Sequence, residues 1–356
     1  MNKLLSKFKS AFRRQGRAWV GLVISGAALV LAVRGIHLRE VMDALRQAEY
    51  AYFVLAALGL LAYLWARSVR WRILLQYGGA SIGLERVFWI TNIGYLVSNV
   101  FPFRLGDPAR AVIVGRDRGI TIPAALSTVV IERVLDMLMV VAILMGITPF
   151  IGGVGNAQLA GGVAGGVALC ALALMLVLAF RPEWGQTLLR WVLERIPGLE
   201  ETSRERWAES LDGLFAGLAA LRSGRRSVGL AVWTVITWAC VVAFYGALIR
   251  AFLPHPPLLA APFLVCVVGL GMALPSSPGA MGVFQVVARY GLSIPFDIPD
   301  GQAVTIAFGV YAFQYILGCL LGIVGLGRES LSLTWLRTQA ADVSTNVEKM
   351  DLEEVE

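Results

Sequence analysis

The chain has 356 residues, of which 57% are hydrophobic and 15% charged, with a formal net charge of +7 and a mean hydropathy of +0.70. Soluble domains carry about 25% charged residues, so a soluble enzyme core is excluded, and the long unbroken apolar runs exclude the alternating pattern of a transmembrane β-barrel. The basic residues sit in loops beside apolar runs, a pattern of membrane topology and anionic-lipid contact and not of nucleic-acid binding.

The first segment, 1–17, carries Lys3, Lys7, Lys9, Arg13, Arg14 and Arg17 with Leu4, Leu5, Phe8 and Phe12 at helical spacing. It reads as a basic cytoplasmic or interfacial N-terminus. The apolar run 18–33 follows without a small-x-small cleavage site, so an uncleaved first span is expected. Further spans are expected at 50–66, 122–149, 158–180, 229–253 and 302–326.

Two apolar segments between these spans are broken. Segment 84–119 contains Asn99-Val-Phe-Pro-Phe-Arg-Leu-Gly-Asp-Pro-Ala-Arg110, and segment 258–292 contains Leu274-Pro-Ser-Ser-Pro-Gly-Ala-Met-Gly282. Unpaired backbone at membrane depth costs several kcal/mol per group, unless protein buries it or it lines a wet cavity. A pair of such breaks in corresponding halves points to a transporter's binding site.

The positive-inside rule orders these pieces. With the N-terminus in the cytoplasm and both broken segments dipping in and returning, Arg67, Arg70, Arg72, Arg116, Arg118, the arginines of loop 181–228, Arg328 and Arg337 all fall inside. Making 84–103 a single crossing would put the Arg-rich loop outside. The fold class expected is therefore an all-α integral membrane protein with about six transmembrane helices and two oppositely oriented re-entrant helical hairpins, arranged as an inverted repeat. A single membrane domain spans 18–326, with re-entrant segments 84–119 and 258–292, and a tail at 327–356 reads as cytoplasmic and disordered. The amphipathic stretches of loop 181–228 read as interfacial helices.

The four cysteines lie in apolar stretches without CxxC spacing, His37 and His255 stand far apart in loops, and no HExxH, GxSxG, Walker or Rossmann pattern occurs. Neither a metal, a cofactor nor a catalytic residue is expected. Candidate binding residues gather at the breaks. Asp107-Pro108 has the form of a helix start, predicting a returning helix 108–118, and a second one is expected to begin near Ala280, after Pro278-Gly279. Helix N-termini attract anions, and Arg104 and Arg110 add guanidinium forks that fit phosphate oxygens. The alternative is that Asp107 only caps a helix and Arg110 reaches the interface.

The span 122–149 contains Glu132, Arg133 and Asp136, with Glu132 about 15 Å from its start, close to mid-depth. Charges there are expensive and functional by default. Glu132 and Asp136 share a face, and Arg133 reaches Asp136 at i+3; the cluster is either part of a transport path or a structural ion pair. Ser276 and Ser277 are placed to meet a headgroup or to satisfy the broken backbone. Arg70 and Arg72, flanking Trp71, anchor the inner end of the second span or capture a headgroup there.

These residues carry a resemblance. Phe101–Arg110, the Glu132-Arg-Val-Leu-Asp136 helix, the Leu274–Val283 loop with Gly279 at its turn, and Arg70-Trp-Arg72 resemble, in order, motifs of the lysylphosphatidylglycerol synthase transmembrane (flippase-like, UPF0104) family. The resemblance covers about residues 18–326. It implies a domain that moves lipids or lipid-linked headgroups between leaflets, without the soluble aminoacyltransferase domain joined to it in some members. Phe103, Ala280 and Gln285 depart from the pattern, standing where small residues, glycine and an acid are usual. The function expected is a cell-membrane lipid flippase or transporter, not an enzyme, acting on a phospholipid or polyprenyl-type lipid with an anionic phosphate headgroup. A lipid-modifying transferase and an accessory subunit of an envelope-biosynthesis complex are the alternatives. Lipid-biosynthetic enzymes and further copies of the chain are the protein partners left open, and both termini are expected in the cytoplasm.

Overall fold

A computed structural model describes residues 46, 48–76, 82–101, 105–115, 120–151, 187, 224–272 and 278–331. The expected segment 1–17, the spans 18–33 and 158–180, and most of the 181–228 loop and of the 327–356 tail lie outside these residues. So do Arg104, Phe103, Ser276 and Ser277.

All regular structure among the described residues is helical. Helix α1 (Ala51–Leu75) covers the expected span 50–66 and continues through the arginines to Leu75. Helix α4 (Ile122–Ile147) starts at Thr121, whose hydroxyl accepts from the Ala124 amide at 3.3 Å, with Pro123 in its first turn; this is a usual N-terminal arrangement. Helices α5 (Gly224–Phe252) and α8 (Asp300–Arg328) match the expected spans 229–253 and 302–326. Three of these helices, α1, α5 and α8, are long and apolar enough to cross a membrane. Helix α4 is as long, with 26 residues, but carries Glu132, Arg133 and Asp136 at its middle.

Both broken segments form helix pairs. Segment 84–119 holds α2 (Leu84–Val100) and α3 (Gly106–Val114). Segment 258–292 holds α6 (Ala260–Gly271), a 3-10 turn at Pro278–Ala280, and α7 (Val283–Phe296), which runs past its expected end. At about 1.5 Å per residue, α3, α6 and α7 extend only about 13 to 21 Å, short of a hydrocarbon core of about 30 Å.

Two expected helix starts are corrected. Helix α3 begins at Gly106, with Leu105 in the capping position and no side-chain cap. Asp107 is thus inside the first turn, and its carboxylate bonds arginines instead of free amides. Helix α7 begins at Val283 and not near Ala280, because Gly279, Ala280 and Gly282 all have positive φ (68°, 55° and 88°). A left-handed run cannot continue a right-handed helix. Gln285 closes the new start: its side-chain oxygen accepts from the Gly282 amide at 2.6 Å. That capping bond is the structural use of the amide at the position where an acid is usual.

The packing of the eight described helices repeats when the halves are exchanged. Helix α1 packs on α5; α1 on α2 answers α5 on α6; α3 on α4 answers α7 on α8; and α2 on α8 answers α6 on α4. Small residues permit the closest approaches. A Cβ on Gly59 would stand 3.1 Å from the Phe244 Cα, so α1 and α5 meet nearly backbone to backbone. One apolar core gathers α5 to α8 with the start of α1, and a second gathers the end of α1 with α2, α3 and the first half of α4. The charged cluster on α1, α3 and α4 sits where the elements of these two cores meet.

Candidate functional site

Glu132 is wholly buried, and its two carboxylate oxygens are fully engaged. Oε1 meets Arg67 Nη2 at 2.6 Å and Arg70 Nη2 at 3.1 Å; Oε2 meets Arg110 Nη2 at 2.8 Å. Arg70, also fully buried, bridges to Asp136 Oδ1 at 2.8 Å, which the Trp238 indole N–H approaches at 3.3 Å from α5. Helical spacing explains the arrangement on α4: Glu132 and Asp136 are one turn apart, so one guanidinium spans both.

A third carboxylate joins from the short helix. Asp107 Oδ1 meets Arg110 Nη2 at 3.0 Å, and Oδ2 meets Arg133 Nη2 at 2.6 Å and Nε at 2.9 Å. Arg133 also comes within 3.7 Å of Asp136 Oδ2, the expected i+3 pair. Arg110 stacks over Trp71, 4.7 Å from the ring centre, and the Trp71 indole donates to Thr128 Oγ1 at 3.0 Å, tying α1 to α4. Arg67 donates from Nη1 to the hydroxyls of Tyr63 and Tyr95, both at 2.9 Å, and these hydroxyls lie 2.7 Å apart.

Among the described residues, four guanidiniums therefore face three carboxylates, which leaves one net positive charge among them. Burying an unbalanced charge costs several kcal/mol unless a counter-charge is supplied. Among the described residues, the Nε–H groups of Arg67, Arg70 and Arg110 are buried without an acceptor.

A cavity of about 300 Å³ adjoins the cluster. Arg67, Arg110, Arg133, Asp107 and Asp136 form its charged wall; Val241, Phe244, Val265 and Val268 are on its apolar wall, and Tyr95, Tyr245, Asn99 and Gln314 add polar groups. Gly279 and Ala280 also line it, so the turn of the second broken segment reaches the same space as Asn99 and Asp107, which flank the break in the first. A Cβ on Gly279 would lie 2.8 Å from the Tyr311 hydroxyl, leaving room there only for glycine.

The structure thus brings Asp107, Arg110, Glu132, Arg133, Asp136, Arg70 and Gly279 together. Arg72 is apart: its Nε donates to the Ile82 carbonyl at 3.0 Å and pins the end of α1 to the connection leading to α2. The surface-anchor reading of Arg70 is replaced by a buried ion pair. Arg67 and its two tyrosines were missed, although Tyr63, Arg67, Arg70 and Trp71 follow the i, i+4, i+7, i+8 spacing of one helix face.

The fold and this site define an all-helical integral membrane protein with a charged, partly apolar internal cavity. The profile of the family described as the lysylphosphatidylglycerol synthase TM region matches residues 18–322, and the chain belongs to that family. It is 25% identical to the glycosyltransferase AglD of Haloferax volcanii, over 91% of this chain and 56% of that protein. It is 28% identical to a UPF0104 membrane protein of Methanothermobacter thermautotrophicus, over 32% of this chain and 35% of that one. The chain spans about half, or less, of the length of these two relatives.

Proposed function

We propose that this protein moves a phosphate-bearing lipid between the leaflets of the cell membrane. The observation that carries the reading is the cavity lined both by a net-positive set of arginines and carboxylates and by apolar side chains. Guanidinium forks suit phosphate oxygens, and an apolar face suits the first carbons of a lipid tail. The headgroup sits between the turns of two re-entrant hairpins, α2–α3 and α6–α7, which dip from opposite faces while the tails stay in the bilayer. Six spans, cytoplasmic termini and the absence of chemistry on the lipid belong to the same proposal.

The test is translocation in vesicles carrying the purified protein, read by chemical quenching of a fluorescent phospholipid and, separately, of a fluorescent polyprenyl phosphate lipid. Wild-type protein accelerates the loss of inner-leaflet signal for one of them, and Arg110→Gln lowers that rate at least tenfold per folded molecule. Equal rates for wild-type and protein-free vesicles with both lipids would reject the reading.

A second reading is favoured by the relative named a glycosyltransferase. In it, this domain serves a group transfer to a lipid, itself or with a partner enzyme. Release of nucleotide from a nucleotide sugar, dependent on added lipid phosphate and on this protein alone, would select it.

A further inference from the structure

Three carboxylates share the site, and they are not equivalent. Glu132 is locked by three guanidiniums, one of them the fully buried Arg70. Asp136 is held by that same Arg70, by Trp238 and, at 3.7 Å, by Arg133. Asp107 alone of the three has both of its guanidinium partners, Arg110 and Arg133, on the cavity wall. It is also the most exposed of the three, at 31% of its side chain against 17% for Asp136 and none for Glu132. It rides on a nine-residue helix, not on one of the long spans.

Asp107 is held between two arginine forks at the cavity wall, so a phosphate reaching those forks would meet its charge. Among the described residues, its charge is what sets the cluster at one net positive. We propose that Asp107 is the specificity-determining residue of this site: it shares Arg110 and Arg133 with the ligand and, by its charge, which stays in the cluster when the ligand is bound, selects a singly charged phosphodiester over a doubly charged phosphomonoester. The inference rests on the phosphate-lipid reading of the cavity.

The physical reason is charge balance. A monoanion brings the cluster to neutrality; a dianion leaves one net negative charge in a poorly hydrated place, which is disfavoured. A phosphomonoester loses its second proton near pH 6, so at about pH 8 it is a dianion and at about pH 5.5 mostly a monoanion. A phosphodiester carries one charge at both. Removing the Asp107 charge raises the cluster to two net positive charges, which a dianion neutralises.

The experiment measures binding to the full-length protein in detergent, by the change in tryptophan fluorescence, since Trp71 and Trp238 contact the cluster. The probes are dihexanoyl phosphatidylglycerol and dihexanoyl phosphatidic acid, which share tails and differ in phosphate charge, with geranyl phosphate and its methyl diester as a prenyl pair. Wild-type protein at pH 8 binds the diester of the preferred tail type about tenfold more tightly than the monoester, and the gap closes at pH 5.5. In Asp107→Asn the order reverses at pH 8, whereas Asp107→Glu keeps the wild-type order. Heat denaturation of Asp107→Asn is raised more by the monoester than by the diester, so a poorly stable variant still gives a reading.

An order that is the same at both pH values and unchanged in Asp107→Asn would overturn the role of Asp107 while leaving the phosphate site standing. Failure of folded wild-type protein to bind any of the four probes would overturn both. The tail type bound more tightly assigns the source of the phosphodiester, glycerolipid or prenyl lipid.

Discussion

At the residue scale the central fact is the mutual dependence of Glu132 and its arginines. Arg67, Arg70 and Arg110 come from two helices, and all three meet one carboxylate. Breaking a buried ion pair by removing one partner costs about 3–5 kcal/mol, because the remaining charge loses its counter-ion. Glu132→Gln leaves three guanidiniums without that carboxylate. The expected outcome is a loss of stability of at least that size, measured by denaturant or thermal unfolding in detergent. A change below about 1 kcal/mol would mean that water or lipid already neutralises these arginines. The sequence marked Glu132, Arg133 and Asp136 because charges at mid-depth are conspicuous. It did not mark Arg67, which lies near the end of an apolar run and so passes for an interfacial anchor until α1 is seen to pack against α4.

At the element scale the short helix α3 is placed by close backbone contact. A Cβ on Gly106 would collide with the Gly94 carbonyl and the Ser98 hydroxyl on α2. Overpacking a tight contact costs about 1–3 kcal/mol, and more where the backbone must move. Gly106→Ala should therefore destabilise the α2–α3 pair and also shift Asp107 and Arg110, which are carried on the same turn. The check is lipid binding: the variant loses affinity for diester and monoester alike, unlike Asp107→Asn. The α6–α7 turn gives the matching case. Gly279 has a φ of 68° and the Tyr311 hydroxyl 2.8 Å from where a Cβ would stand. A left-handed L-residue costs about 1–2 kcal/mol before any clash, so Gly279→Ala should lower the melting temperature by several degrees. Unchanged melting would show that this turn relaxes freely.

At the scale of the whole molecule the exchange symmetry of the packing organises everything else. Each half contributes a long helix, a broken pair and a second long helix, and residues beside both breaks line one cavity. If the halves are inverted in the membrane, cysteines placed at Gly83 and Arg118 in a cysteine-free chain are labelled from the cytoplasm. Cysteines at Leu258 and Pro299 are then labelled from outside. Labelling of Gly83 and Arg118 from opposite sides would require α2–α3 to cross, and the inverted arrangement would fall.

Hydropathy and charge placement determined the helical membrane class, the four long described helices and the two broken segments, because each rests on local composition and on the cost of burying backbone or charge. The Glu132–Asp136 spacing likewise followed from helical geometry within one segment. What tertiary structure decided was partnership. Asp107 looked like a cap because the sequence shows its own helix start but not Arg133, 26 residues away. Arg70 and Arg72, two residues apart, looked equivalent, yet on a helix that spacing turns the side chains to different faces, and one enters the ion cluster while the other holds a loop. The start of α7 depended on a left-handed run through Ala280, a residue whose type gives no sign of positive φ. Distances between segments that are remote in the chain are set by packing, and packing is settled only when all the helices are in place.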